Sequence, residues 1–379
     1  MIYFDNAATS LQKPDSVADA VYHAMKTMGN SSRGSHKAAL NSMQLVYDTR
    51  RLIAEKFGLD QPERAAFTAN STESLNIAIR GLFRPGDHVI TTALEHNSVL
   101  RPLYLMEKAG VRLTILPADE NGCISYDDME AAISSDTRGI VCTHASNLTG
   151  NMLDLYRIGE ICRKNRLLFV VDASQTAGIF PIDMKEMNIS VLCFTGHKSL
   201  LGPQGIGGIC VTPDVTVSPF KVGGSGIHSF LKEQPDSMPT VLEAGTLNGP
   251  GIAGLHAALE WHNTQDQKQL YEKEHLLMQT FYEGVRDIPG IRIYGDFTAS
   301  MRAPIVSLNI EDYPSSMVSD ELSQRFSIAT RAGAHCAPLM HQALHTEKQG
   351  AVRFSFSHFN TMEEVQRGID AIRILATEE

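Results

Sequence analysis

Short apolar runs alternate with helical patterns through the first two-thirds of this chain. The predicted strands cover residues 88–92, 111–116, 139–143, 167–172, 191–194 and 208–212. Strands that are apolar on both faces and separated by helices are typical of a mostly parallel sheet covered by helices. The sequence therefore predicts an α/β fold built on a mostly parallel sheet.

The last third of the chain follows another pattern. A polar segment rich in glycine and proline over residues 222–247 is too long for a simple connection. After it we predict a long helical segment near 251–286, strands at 291–294, 305–309 and 351–355, and helices at 316–326 and 361–375. These elements indicate a smaller α+β domain.

The length of 379 residues exceeds what one hydrophobic core normally serves. We therefore predict two domains. The large α/β domain would span residues 13–260, and the smaller α+β domain would span 261–379 together with residues 1–12.

Composition excludes several classes of partner. The net charge of −10 argues against nucleic acid, which normally meets a basic face. No apolar stretch approaches the roughly 20 residues of a membrane span, and the first residues do not resemble a signal peptide, so we expect a cytoplasmic protein. The six cysteines include no C-x-x-C pair, which predicts neither a disulfide framework nor a metal site.

Lys198 ends the polar turn Thr195-Gly196-His197-Lys198, between a predicted strand and a glycine-rich run. A lysine so placed is suited to a Schiff base with pyridoxal 5′-phosphate (PLP). Asp172 ends another predicted strand, where its carboxylate would keep the pyridine nitrogen protonated, and Gln175 would meet the phenolic oxygen. A solvated lysine and a helix-capping aspartate are the alternative for each residue taken alone.

A phosphate site is predicted where Ser71 and Thr72 begin an apolar helical stripe. Hydroxyls and free backbone N–H groups at a helix start bind anions, although ordinary capping explains the same pattern. Thr195 and His197 flank the lysine and would complete the site. His96, just beyond a strand, is suited to stacking on a flat cofactor and to proton transfer, or is merely a loop histidine.

Cys336 differs from the other cysteines because its surroundings are polar. Arg331 and His335 are close in sequence and would lower the pKa of a thiol, although a buried inert cysteine is the usual alternative. Arg353 interrupts an apolar strand, where it would grip a carboxylate or form a structural salt bridge.

These motifs together resemble a known family. The opening residues 3–9, the lysine turn, Glu243-Ala244-Gly245-Thr246 and the R-x-G-x-H-C-A pattern from Arg331 to Ala337 resemble class V, fold-type I PLP enzymes of the cysteine desulfurase and selenocysteine lyase kind. The form of the cysteine motif is nearest to the group II, SufS-type branch. Ala334 departs from that branch, in which a second histidine is common at this position.

The resemblance implies roles for individual residues. The implied catalytic residues are Lys198, Cys336 and His96. The implied cofactor-binding residues are Ser71, Thr72, His96, Asn147, Asp172, Gln175, Thr195, His197, Lys198 and, from a partner subunit, Thr246. The implied substrate-binding residues are Asn147, Arg353, Arg331 and Arg33. A homodimer and a sulfur-acceptor protein are the implied partners.

The leading hypothesis is a cysteine desulfurase that converts L-cysteine to L-alanine and takes the sulfur onto Cys336 as a persulfide. The alternatives are a selenocysteine lyase that acts on L-selenocysteine, and another C–S β-lyase that releases pyruvate. A non-catalytic scaffold in a sulfur- or selenium-trafficking assembly is a further alternative.

Overall fold

The structure is a computed structural model that describes residues 1–31 and 34–378. Its strands are β1 (Ile2–Tyr3), β2 (Ala65–Thr68), β3 (His88–Thr92), β4 (Arg112–Leu116), β5 (Thr137–Thr143), β6 (Leu168–Asp172), β7 (Val191–Thr195), β8 (Gly207–Val211), β9 (Ile291–Tyr294), β10 (Ile305–Ile310), β11 (Ile328–Ala329), β12 (Arg331–Gly333) and β13 (Ala351–Ser355). Its helices are α1 (Asp15–Thr27), α2 (Lys37–Phe57), α3 (Ser71–Leu82), α4 (Asn97–Lys108), α5 (Tyr126–Ala131), α6 (Leu155–Asn165), α7 (Gly249–Asn263), α8 (Gln267–Val285), α9 (Ser315–Phe326), α10 (Pro338–Ala343) and α11 (Met362–Thr377).

A seven-stranded sheet with the order β2-β8-β7-β6-β5-β3-β4 forms the centre of the fold. Its core strands are buried on both faces, as the continuous apolar runs predicted. The predicted α/β fold with a mostly parallel sheet is confirmed. Strand β8 runs antiparallel to both β7 and β2, an orientation that the apolar pattern alone does not reveal.

Strand β2 was not predicted, because four buried residues carry too little pattern to be distinguished from a loop. The predicted long helix near 251–286 was wrong in one respect, since it is two helices, α7 and α8. The break follows from Asp266, whose side chain accepts hydrogen bonds from the backbone N–H groups of Lys268 and Gln269 and so begins α8.

A second sheet, with the order β12-β13-β10-β9, belongs to the C-terminal part of the chain. Its apolar core includes side chains from α8, α9 and α11, and Ile2 and Phe4 from the N-terminus lie in the same cluster. The domain boundary after residue 260 stays a prediction, as does the assignment of residues 1–12 to the smaller domain.

The carboxyl ends of the parallel strands meet beside the small sheet, and this arrangement positions the site. Asp172 at the end of β6 pairs in register with Thr143 of β5 and with Cys193 of β7. Because β7 ends two residues later at Thr195, the lysine turn begins next to Asp172. No helix among the described residues is long and apolar enough to span a membrane.

Candidate active site

A cavity of about 210 Å³ opens at the carboxyl ends of the central strands. Most of the predicted site residues line it, although they come from distant parts of the chain. The lining includes Ser71, Thr72, His96, Asn147, Asp172, Gln175, Thr195, His197, Lys198, Arg331 and Arg353. The sheet therefore brings the predicted amine, carboxylate and anion-binding groups to one place.

Two of the predicted residues that the structure describes do not line this cavity. The side chain of Cys336 is exposed outside it. Thr246 lines a separate depression that also includes Glu243 and Lys221. Arg33 lies outside the described residues.

Lys198 is held in place through its backbone. Its carbonyl oxygen accepts a hydrogen bond from the Ser10 hydroxyl at 2.9 Å. Burial lowers the pKa of its ammonium group to about 8, with Arg353 and Arg331 adding to the effect and Asp172 opposing it. The neutral amine, which is the nucleophilic form, is therefore accessible near physiological pH.

Asp172 is oriented by two serines. The Ser71 hydroxyl and the Ser174 backbone N–H each donate to Oδ1 at 3.0 Å. Ser71 was predicted to meet a phosphate, but its hydroxyl instead donates to Asp172, so its position favours a role in holding the carboxylate.

Several groups fit an anion at the start of α3. Thr195 Oγ1 is buried and has no hydrogen-bond partner among the described residues. Thr72 Oγ1 lies 2.8 Å from Ser98 Oγ. His197 Nδ1 lies 3.0 Å from Thr9 Oγ1, and burial lowers the pKa of His197 to about 4, so the ring is neutral at physiological pH and would contact an anion only as a hydrogen-bond donor.

His96 is fixed in one tautomer. Its Nδ1 accepts the backbone N–H of Ser98 at 3.0 Å, so the neutral ring carries its proton on Nε2. Burial, followed by the nearby charge of Lys198, lowers the pKa of His96 to about 4. The imidazole is therefore neutral at physiological pH.

Two buried amides line the cavity. Gln175 Nε2 donates to the Ala7 carbonyl at 3.1 Å. Asn147 Nδ2 donates to the His335 carbonyl at 2.7 Å, which joins the end of β5 to the cysteine loop. The Oδ1 atom of Asn147 is buried and has no partner among the described residues, so it offers a free acceptor at the cavity.

Arg353 forms the structural salt bridge that the sequence left open as an alternative. Its Nη2 donates to Asp5 Oδ1 and its Nη1 to the Asn147 carbonyl, both at 2.8 Å. The side chain is only 2% exposed but lines the cavity. Asp5 was missed as a site residue, although it lies in the opening motif that carried the family resemblance.

The Cys336 loop has an unusual backbone. His335 and Cys336 both adopt positive φ, at 50° and 56°. This left-handed conformation is uncommon for residues other than glycine. The Cys336 carbonyl accepts the backbone N–H of Asn97 at 2.7 Å, so the loop is fastened directly after His96.

His335, which the sequence placed close to the thiol as a basic residue, is buried. Burial, together with Arg353 and Arg331, lowers the pKa of His335 to about 3, so its ring is neutral. One ring nitrogen, Nε2, lies 3.1 Å from the Arg331 carbonyl. Arg331 itself remains as a positive group in this loop.

Glu95 is a buried carboxyl group that the sequence did not single out. Its Oε1 accepts from the Thr92 hydroxyl at 2.6 Å and from the Thr143 backbone N–H at 3.1 Å. Burial raises the pKa of Glu95 to about 8. A neutral carboxylic acid therefore links the ends of β3 and β5 beneath His96.

These groups match what PLP, a phosphorylated pyridine aldehyde, requires of a binding site. Lys198 supplies an amine with a lowered pKa and Asp172 supplies an oriented carboxylate. The partnerless Thr195 hydroxyl and the N-terminus of α3 supply donors for a phosphate. No group of three or more metal-ligating side chains is present among residues 1–31 and 34–378.

Comparisons with known proteins identify the family of the chain. Residues 2–367 match the family model for the aminotransferase class-V proteins. A probable cysteine desulfurase of Methanothermobacter thermautotrophicus is 31% identical, over 96% of this chain and 92% of the relative. A cysteine desulfurase IscS of Vibrio atlanticus is 32% identical, over 98% of this chain and 92% of the relative.

Solved structures give the same result. The apo structure of a cysteine desulfurase from Thermococcus onnurineus NA1 superposes with a TM-score of 0.93 at 31% identity, covering 99% of this chain and 94% of that one. The structure of the cysteine desulfurase CsdA of Escherichia coli superposes with a TM-score of 0.88 at 28% identity, covering 98% of this chain and 93% of that one.

The fold and site thus define an enzyme of the fold-type I class. The chain belongs to the aminotransferase class-V family. The predicted family is confirmed, while the SufS-type branch stays a prediction.

Proposed function

We propose that this protein is a PLP-dependent cysteine desulfurase that converts L-cysteine to L-alanine and keeps the sulfur on Cys336 as a persulfide. The observation that carries the proposal is the meeting of Lys198 and Asp172 at one cavity, with the Cys336 loop fastened at its edge. Relatives and solved structures named as cysteine desulfurases support the same reaction.

The cofactor would be held by residues with separate tasks. When bound, PLP supplies an electron sink that weakens bonds next to the substrate's α-carbon. Lys198 would hold it through a covalent bond, and Asp172 would keep its ring nitrogen protonated. Thr195, Thr72 and His197 would hold its phosphate, and His96 would lie against the ring with its Nε2 proton available for transfer.

The substrate would be bound by its carboxylate. Arg353 retains N–H groups that are not used by Asp5 or the Asn147 carbonyl, and Asn147 Oδ1 is a free acceptor. Arg331 supplies a second positive charge at the same cavity. These groups would orient the amino acid so that its sulfur points toward the cysteine loop.

Sulfur transfer then requires the exposed Cys336 to approach the cavity. The thiolate attacks the substrate sulfur, the bond between that sulfur and the substrate's β-carbon breaks, and the β-carbon takes up a proton. The products are L-alanine and a persulfide on Cys336, so atoms and electrons balance without an added oxidant. Gly333, the last residue of β12 before this loop, has φ 99°, a conformation that glycine adopts more easily than other residues.

A homodimer and a sulfur acceptor are part of the proposal. Large apolar side chains are exposed on α1 and α2, a surface that a second copy would cover: Tyr22, Met25, Leu40, Met43 and Tyr47. Thr246, which lies away from this chain's own cavity, would serve the partner's site. The exposed thiol is accessible to an acceptor protein. The cytoplasmic location stays a prediction from the sequence.

The variant Cys336→Ala tests the nucleophilic role. It should bind PLP normally but produce alanine from L-cysteine about 1000-fold more slowly or worse, because no thiol takes the sulfur. Cys123→Ala is the matched control, since Cys123 is a half-buried free cysteine away from the cavity. Full alanine production by Cys336→Ala would refute sulfur transfer to this residue. Retained activity of that variant on L-selenocysteine alone would favour the selenocysteine lyase alternative.

A further inference from the structure

Backbone pairing brings Asp5 beside Arg353. Asp5 forms a parallel β-bridge with Ser355, which lies two residues beyond Arg353 in β13. The Ser355 backbone N–H donates to the Phe4 carbonyl at 2.7 Å, and its hydroxyl accepts the Ala7 N–H at 2.9 Å. The position of the Asp5 carboxylate is therefore set by main-chain register.

The Arg353 guanidinium is held from two sides. Asp5 Oδ1 accepts from Nη2 and the Asn147 carbonyl accepts from Nη1, each at 2.8 Å. The Nε–H group is buried and has no partner among the described residues. Two fixed acceptors define the plane of the guanidinium and leave other N–H groups for a ligand.

A second positive charge, that of Arg331, lies beside the Arg353 guanidinium. Arg331 and Arg353 are register partners on the antiparallel strands β12 and β13, so their side chains share one face. Lys198 faces the same cavity, and Asp172 is the carboxylate among the described residues that line it. Asp5 contacts Arg353 directly and offsets the repulsion from Arg331, and it opposes the lowering of the Arg353 pKa by burial.

We infer that Asp5 is a positioning residue for substrate recognition, which holds the Arg353 guanidinium in the orientation that receives the α-carboxylate of an amino acid. The inference rests on the proposed function and adds a residue to it. Asp5 does not line the cavity itself, so it acts through Arg353.

The test compares two ligands that differ only in the carboxylate. L-alanine carries it, and L-alaninamide replaces it with a neutral amide. Equilibrium binding of each to the PLP-loaded enzyme is followed by the absorbance of the cofactor, which requires no turnover. The variants are Asp5→Ala, Asp5→Asn and Arg353→Lys. Asp15→Asn serves as the control, since it removes an exposed acid of the N-terminal region.

Asp5→Ala should weaken L-alanine binding by about tenfold or more and leave L-alaninamide within about twofold. Asp5→Asn retains an acceptor of the same shape and should weaken L-alanine by only about threefold. Arg353→Lys should show the same preference for the amide, and Asp15→Asn should change neither ligand.

Equal weakening of both ligands by Asp5→Ala and Asp5→Asn would overturn the inference, because a general structural role affects them alike. No change for either ligand would also overturn it. Both results leave the proposed function intact if the wild-type enzyme makes alanine from L-cysteine. Absence of that activity in the wild type would instead refute the proposed function.

Discussion

The Asn97 backbone N–H donates to the Cys336 carbonyl at 2.7 Å. This hydrogen bond joins the residue after His96, which lines the cavity, to the residue that carries the thiol. Together with the hydrogen bond from Asn147 Nδ2 to the His335 carbonyl, it fixes the loop that carries the exposed thiol to the cavity wall at two adjacent residues. The proposed sulfur transfer therefore requires a movement that brings the exposed Cys336 thiol to the cavity.

The lowered pKa of Lys198 predicts how cofactor uptake depends on pH. Only the neutral amine attacks the aldehyde, and burial lowers the pKa of Lys198 from 10.5 to about 8. The rate at which the cofactor-free protein takes up PLP should therefore rise with pH and level off above about 8. Stopped-flow absorbance from pH 6.5 to about 11.5 measures this rate.

Asp172→Asn provides a second arm for this measurement. The Asp172 carboxylate raises the pKa of Lys198, so its removal should move the midpoint to lower pH. A midpoint near 10.5 in the wild type would contradict the account of Lys198.

Ser71→Ala tests the orientation of Asp172. The variant loses the hydroxyl that donates to Asp172 Oδ1 at 3.0 Å. We expect kcat to fall by about fivefold to tenfold while PLP remains bound, because one charge-assisted hydrogen bond is lost. Steady-state kinetics of alanine formation measure the effect.

Ser74→Ala is the matched control on the same helix. Its hydroxyl donates to the Gly208 carbonyl at 2.9 Å and does not line the cavity. It should lower thermal stability and leave kcat unchanged. Equal kinetic losses in the two variants would argue against a specific role for Ser71.

Glu95→Gln tests the buried carboxyl group through stability. Glu95 ionises near 4.5 when unfolded and near 8 when folded, so folding favours its protonated form. The stability that the protonated Glu95 gives to the folded state is fully present below pH 4.5 and is lost as pH rises toward 8. The glutamine side chain does not titrate. The free energy of unfolding of Glu95→Gln should therefore rise relative to that of the wild type by roughly 1.4 kcal/mol for each pH unit between pH 4.5 and 8.

Urea unfolding of both proteins between pH 5 and pH 8 gives the difference directly. Glu55→Gln, an exposed acid of α2, is the control and should track the wild type. If the free energies of unfolding of Glu95→Gln and the wild type differ by the same amount at every pH, Glu95 is already ionised in the folded protein.

Glu243→Ala should destabilise the fold strongly. Glu243 forms a buried ion pair with Arg50 at 2.6 Å and accepts the Phe67 backbone N–H. Loss of one partner of a buried pair costs about 3–5 kcal/mol. Glu55→Ala removes the exposed pair with Arg51 and should cost under about 1 kcal/mol. Chemical denaturation measures the loss of stability in each variant. Equal losses in Glu243→Ala and Glu55→Ala would contradict the difference in burial between the two ion pairs.

The sequence was most informative where the residues themselves impose the structure. Strands β3, β9 and β13 have the predicted bounds, because a glycine that favours a turn lies just before each of them, at Gly86, Gly290 and Gly350. The rule that ligands gather at the carboxyl ends of parallel strands correctly brought Lys198 and Asp172 to one cavity.

Contacts between distant segments, and the properties that depend on them, could not be predicted from the sequence in the same way. The contact of Asp5 with Arg353 depends on the register of an N-terminal residue with β13, which no local pattern encodes. The neutral state of His335 depends on burial by the folded loop. The position of the Cys336 thiol outside the cavity follows from backbone angles that the sequence Ala334-His335-Cys336 does not specify.

The most direct test of the account is the product formed from L-cysteine. Purified protein is loaded with PLP, incubated with L-cysteine, and analysed for alanine, pyruvate and the mass of the Cys336 peptide. The account predicts alanine without pyruvate and one added sulfur on Cys336. Pyruvate and ammonia in place of alanine, or alanine formed with an unmodified Cys336 under conditions without reductant, would contradict it.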